Sequence, residues 1–74
     1  MITFITRRNC ELCEERLPWV VAIASDRDIP VDVIDVDDEG LASLYGENVP
    51  VVMRDDEVIL EGAFDEGELA EAFD

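Results

Sequence analysis

Met1-Ile2-Thr3-Phe4-Ile5-Thr6-Arg7-Arg8-Asn9-Cys10-Glu11-Leu12-Cys13 opens the chain, and its reading decides the fold. Residues 1–6 are apolar, aromatic or β-branched throughout, which predicts a central strand covered on both faces. Arg7-Arg8-Asn9 is short and polar and predicts a loop, with Asn9 as the cap of a following helix. Cys10 and Cys13 therefore stand where a strand hands over to a helix. They are the chain's two cysteines, and it has no histidine. Two thiols separated by two residues can close a disulfide there, whereas a tetrahedral Cys/His zinc site cannot be completed within one chain. The pattern predicts a dithiol redox centre.

Working outward, Leu17, Val20, Val21 and Ala24 recur at helical spacing, and Cys13 extends that stripe backwards, so it is expected to face inward. Glu11, Glu14 and Glu15 sit in the first turns, where the positive end of the helix dipole favours them. Pro18 interrupts the pattern: either the helix kinks there, or a new helix starts near it and Cys10 to Cys13 lie in a loop. Asp26-Arg27-Asp28 and Pro30 end the stretch. Residues 31–36 read as a second strand, whose two aspartates suggest an edge or a partly exposed strand. Residues 37–40 open a short helix over 41–45, ended by Gly46. Residues 49–54 and 57–60 form a hairpin around Asp55-Asp56, an acidic turn whose type the sequence leaves open. Asp65 followed by Glu68 resembles a capping box for a last helix carrying Leu69, Ala70 and Phe73. The order is β-α-β-α-β-β-α. A right-handed crossover makes the first strand pair parallel, and the closing hairpin is antiparallel. The expected α/β fold is a four-stranded mixed sheet with helices on both faces.

The 74 residues make one domain, 1–74, and 49% hydrophobic content suffices for one core. Twenty Asp and Glu face five Arg, with no Lys, for a net charge of −15. Such a chain repels nucleic acid and anionic membrane surfaces, so neither is an expected partner. The excess reads either as a solvated acidic surface from a GC-rich genome or as adaptation to a salt-rich cell interior, where salt screens the self-repulsion. Residues 1–6 are too short for a signal-peptide core, and no apolar run approaches a membrane span. A cytoplasmic monomer is expected. In a reducing compartment, a Cys-x-x-Cys is more often catalytic or metal-binding than a permanent staple.

The order of elements, the Cys-x-x-Cys after strand one and Val49-Pro50 before strand three together resemble the thioredoxin fold in its short, glutaredoxin-like form. The run from Thr6 to Glu15 is most similar to the small glutaredoxin-like family of bacteria and archaea, whose members tend to carry Cys-x-Leu-Cys followed by acidic residues. Ile34-Asp35-Val36-Asp37, Leu44-Tyr45-Gly46-Glu47-Asn48-Val49-Pro50-Val51-Val52, and Gly62 near Phe64 fit the same family. The resemblance spans the chain. It implies Cys10 as nucleophile and Cys13 as resolving thiol. It also implies a cis Pro50 packed against the cysteines, with Val49 offering its backbone to a substrate's main chain. Arg7 matches a basic position that meets the glycyl carboxylate of glutathione. The sequence departs from glutaredoxins at Glu11-Leu12, where Pro-Tyr is usual. It departs again at Gly62-Ala63, where a second glycine helps hold glutathione, although Asp65 and Glu66 remain to receive the γ-glutamyl ammonium. Phe4 stands where thioredoxins carry a buried acid.

The resulting expectation is a thiol–disulfide oxidoreductase acting on disulfide-bearing proteins or small thiols. It needs no bound cofactor. Glutathione or another low-molecular-weight thiol is a candidate co-substrate, with weak glutathione coupling expected because Ala63 replaces the second glycine, and a thiol or a reductase is the expected electron donor. A helix N-terminus and nearby Arg7 and Arg8 lower the ionisation point of Cys10 from the free value of about 8.5, and the flanking glutamates oppose them. Plainer readings stand beside these. Pro50 could open an edge strand in trans, Arg7 and Arg8 could be solvated charges, and Gly62 could only supply a turn. Trp19 and Tyr45 read as packing residues. The rival class is a metal- or cluster-binding module built from two Cys-x-x-Cys motifs across a dimer.

Overall fold

The computed structural model describes residues 1–37 and 48–73. Strand β1 (Ile2–Thr6) is followed by helix α1 (Glu11–Asp26), β2 (Val31–Asp35), β3 (Val51–Arg54), β4 (Glu57–Glu61) and helix α2 (Glu66–Phe73). The four strands form one mixed sheet in the order β2-β1-β3-β4. β1 pairs parallel with β2, Ile2 opposite Val31, and antiparallel with β3, Phe4 opposite Val52. The apolar opening stretch is thus an inner strand, and the aspartate-bearing β2 is an edge, as expected. The helix expected over 41–45 lies outside the described residues, and with it the covering of the second face.

The alternation of β1 sends its side chains to two sides. Ile2 and Phe4 join Val52, Cys13, Val20, Ala24, Phe64, Leu69 and Phe73 in the larger core, so both described helices pack on that face. Ile5 and Val51 point the other way and pack with Val36. Phe4 is fully buried, and replacing such a residue by alanine costs about 3–5 kcal/mol. That is comparable to the whole stability margin of a domain of this size.

Three local details differ from the sequence reading or complete it. Helix α1 runs unbroken through Pro18, which is exposed on it. The cap of α1 is Cys10, not Asn9: Asn9 takes φ 60°, a left-handed conformation that turns the chain into the helix. The hairpin turn is resolved by Asp55 and Asp56, with φ 50° and 71°. Two successive positive φ values are what a type I′ turn demands, and aspartate tolerates them. Beyond the turn, the register shifts between Val52 and Met53, leaving one extra residue on β4.

The inward stripe of α1 also differs. Cys13, Val20 and Ala24 are buried as expected, but Val21 is 46% exposed and Arg16 is buried instead. The helix is rotated so that the Cys13 face, rather than the most apolar arc, meets the sheet.

Candidate active site

Cys10 and Cys13 meet at the N-terminus of α1 and are joined as a disulfide, with Cα atoms 5.2 Å apart. The local reason is the cap. Cys10 has extended backbone angles, φ −103° and ψ 100°. Its carbonyl accepts the first helical bond, from Glu14 N–H at 3.1 Å. Its Sγ accepts from Cys13 N–H at 3.1 Å. Cys10 therefore fills the position that Ser, Thr, Asp or Asn usually holds, with sulphur in place of oxygen. The two sulphurs are not equivalent. Cys10 is half-buried at the surface end, whereas Cys13 is 1% exposed within the core.

The segment before β3 packs on the same core as Cys10. The Val49–Pro50 bond is cis. Pro50 is fully buried, and Val49 packs against the same core cluster as Cys10. Gly62 holds this loop. Its N–H donates to Pro50 O at 2.9 Å and to Asn48 O at 3.1 Å. It does so with φ 72°, and a Cβ there would meet nothing within 4 Å. The glycine is thus required by backbone conformation rather than by space.

The remaining expected site residues sit around this centre with internal partners. Arg7 Nε lies 3.3 Å from Asp37 Oδ2, and Arg8 Nε lies 3.8 Å from Asp35 Oδ2. Asp65 Oδ1 accepts from Glu68 N–H at 2.7 Å, which makes it the cap of α2. Trp19 is half-buried packing, as expected, and Tyr45 lies outside the described residues. Among the described residues, no group of three or more Cys, Asp or Glu is placed to hold a metal ion. No helix among them is long and apolar enough to cross a membrane.

Sequence reading missed Arg16. Its Nε donates to Phe64 O at 2.9 Å, and one terminal nitrogen lies 3.0 Å from Glu15 Oε1. Its guanidinium carbon stands 4.9 Å from the Trp19 ring centre and 5.8 Å from that of Phe64. The available signal was its position three residues after Cys13, on the face that Cys13 defines. Its charge argued against burial, which the two rings, the Phe64 carbonyl and the Glu15 carboxylate together make tolerable.

The comparisons with known proteins agree with this geometry. The fold is similar to thioredoxin 1 from the thermophilic eubacterium Thermosipho africanus TCF52B, with a TM-score of 0.73 and 26% identity over 97% of this chain and 88% of that one. It is also similar to a mutant thioredoxin from Halobacterium salinarum NRC-1, with a TM-score of 0.67 and 34% identity over 95% of this chain and 67% of that one. No curated protein sequence matches significantly. The family model of the glutaredoxin-like domain (DUF836) matches residues 1–74. A thioredoxin fold with a close cysteine pair at a helix N-terminus supports a redox function. The chain belongs to the glutaredoxin-like family.

Proposed function

We propose that the protein is a cytosolic thiol–disulfide oxidoreductase in which Cys10 attacks and Cys13 resolves. The observation that carries this is the cap: Cys10 Sγ already accepts the Cys13 N–H at 3.1 Å in the disulfide state. On reduction, the same N–H and the helix dipole are aimed at a sulphur that can become an anion, and both favour the thiolate. The thiolate is the attacking species. It displaces one sulphur of a substrate disulfide and forms a mixed disulfide. Cys13 then attacks Cys10 and releases the second substrate thiol. Exposure supports the division of labour, since Cys10 is the half-buried partner and Cys13 the buried one. Val49, which packs on the core that Cys10 also touches, would pair its backbone with the substrate's main chain. The acting unit is proposed to be a monomer with no bound cofactor.

Glutathione is proposed as a poor electron donor for this site, and another thiol or a protein reductase as the better one. Ala63 removes the second glycine. The Gly62 N–H is bonded to two carbonyls, and one oxygen of Asp65 is committed to the cap of α2. Arg7 lies beside Asp37. The groups that would hold the tripeptide are thus engaged within the protein.

Trapping tests the roles. The Cys13→Ser variant should attack a disulfide and stall, accumulating a mixed disulfide through Cys10 that added thiol dissolves. Accumulation through Cys13 in a Cys10→Ser variant instead would reverse the assignment. Slow, equal alkylation of both reduced thiols would remove the basis for either.

A further inference from the structure

The exchange cycle leaves one step without a partner. To resolve the mixed disulfide, Cys13 must lose its proton, yet it is 1% exposed, and apolar burial disfavours a thiolate. The core cluster it belongs to brings no charge from the sheet or from α2: Ile2 and Phe4 come from β1, Val52 from β3, and Leu69 and Phe73 from α2. Phe64, from the segment before α2, is likewise apolar. On its own helix, Glu11, Glu14 and Glu15 are exposed. Arg7 and Arg8, in the preceding loop, are exposed and lie beside Asp37 and Asp35. Among the described residues, the one buried polar or charged side chain is Arg16.

Arg16 lies one turn beyond Cys13 on the same buried face. Side chains three apart on a helix stand about 5–6 Å apart at Cβ, and helical side chains lean toward the N-terminus. Its guanidinium is fixed by the Phe64 carbonyl and the rings of Trp19 and Phe64. Arginine supplies a fixed positive charge there. The Glu15 carboxylate opposes it, but that side chain is 61% exposed against 10% for Arg16. Water therefore screens the glutamate more than the arginine.

We propose that Arg16 is a positioning residue for the resolving step: its buried charge holds the Cys13 sulphur in the thiolate form, in place of a buried base. In that step the Cys13 proton passes to solvent and Cys13 Sγ attacks Cys10 Sγ. The Cys10–Cys13 bond forms, the bond from Cys10 to the substrate sulphur breaks, and the electron pair leaves with the substrate thiolate. No external oxidant or reductant is consumed. The inference rests on the exchange reading above.

The test uses a Cys10→Ser background, in which Cys13 is the single thiol, and follows thiolate absorbance near 240 nm against pH. Arg16→Gln and Arg16→Lys both keep an N–H donor for the Phe64 carbonyl, and only lysine keeps the charge. With glutamine, the thiolate fraction at a fixed pH on the rising limb should fall about tenfold, and with lysine it should stay within about twofold of arginine. In the Cys10-containing protein, release of a chromogenic thiol from the Cys10 mixed disulfide should slow for glutamine and not for lysine. Equal displacement by both variants would reduce Arg16 to a structural strut, and no displacement by either would also overturn the proposal. Should the glutamine variant fail to fold, Arg16→Met, suited to an apolar site, supplies the neutral arm with the same expected loss. The titration needs no substrate, so it can fail while exchange activity stands, and exchange can fail while it holds.

Discussion

The two described helices begin with the same device built from different atoms. At α2, Asp65 Oδ1 accepts the Glu68 N–H at 2.7 Å, and at α1, Cys10 Sγ accepts the Cys13 N–H at 3.1 Å. Both are contacts from the cap to the third residue after it. Asp65 is a carboxylate that takes no part in the cysteine redox change, so its contribution is the same in both redox states and its role is to start a helix. Cys10 is neutral as a disulfide and can become an anion only on reduction. The same unpaired N–H groups and dipole then act on one redox state and not the other. A cap whose charge depends on redox state turns a device for stability into one for reactivity.

Exchanging the atom at the first cap gives the largest expected effect. Cys10→Ser should abolish disulfide exchange, because a hydroxyl is barely ionised. Serine is nevertheless a favoured cap, so the melting temperature should stay within about 4 °C of the reduced wild type. A loss of stability as complete as the loss of activity would show that Cys10 does more than cap and react.

The second comparison is between partners. In a glutathione-coupled assay, turnover should remain low and fail to saturate, because Asp65 is committed to its helix and Gly62 to the Pro50 loop. Saturation that disappears with Arg7→Ala would show that Arg7 binds glutathione in spite of Asp37.

Salt reaches both caps through the surrounding charge. Acidic residues stand in the first turn of each helix, and the net charge is −15. The Debye length falls from about 30 Å at 0.01 M salt to about 3 Å at 1 M. Melting temperature should therefore rise with potassium chloride, as self-repulsion is screened. A rise in sucrose alone would assign the effect to solvent exclusion instead.

The smallest effect belongs to the second cap. Asp65→Ala should cost about 1 kcal/mol, which for a domain of this size is about 4–8 °C in melting temperature. The loss should be equal in oxidised and reduced protein, measured by circular dichroism. A loss that depends on redox state would couple the two termini and erase the distinction between them.

Much of this was legible in particular residues. The β-branched run 1–6 announced a buried strand because a sheet covered on both faces leaves no position for polar side chains. Asp32 and Asp35 announced an edge strand because an edge leaves side chains in water. The position of Cys10 and Cys13 after the first strand placed both thiols where a strand hands over to a helix, and Asp65 with Glu68 announced the last helix. The cap of α1 was misread by one residue, since asparagine suits both a cap and a left-handed turn, and sequence alone does not say which. Asp55-Asp56 gave no turn type, because aspartate tolerates several, and the choice fell to the strand twist on either side.

The sequence by itself determined the order of the described strands and helices, the close cysteine pair and the acidic excess, because each follows from local periodicity, spacing or composition. Tertiary structure alone decided which arc of α1 faces the sheet, and so exposed Val21 and buried Arg16. It alone brought Gly62 to the carbonyls of Asn48 and Pro50 and set the cis-proline loop against the core that Cys10 also touches. The reason is physical. A buried charge is tolerable only where distant groups meet it, and the partners of Arg16 include Phe64, 48 residues away.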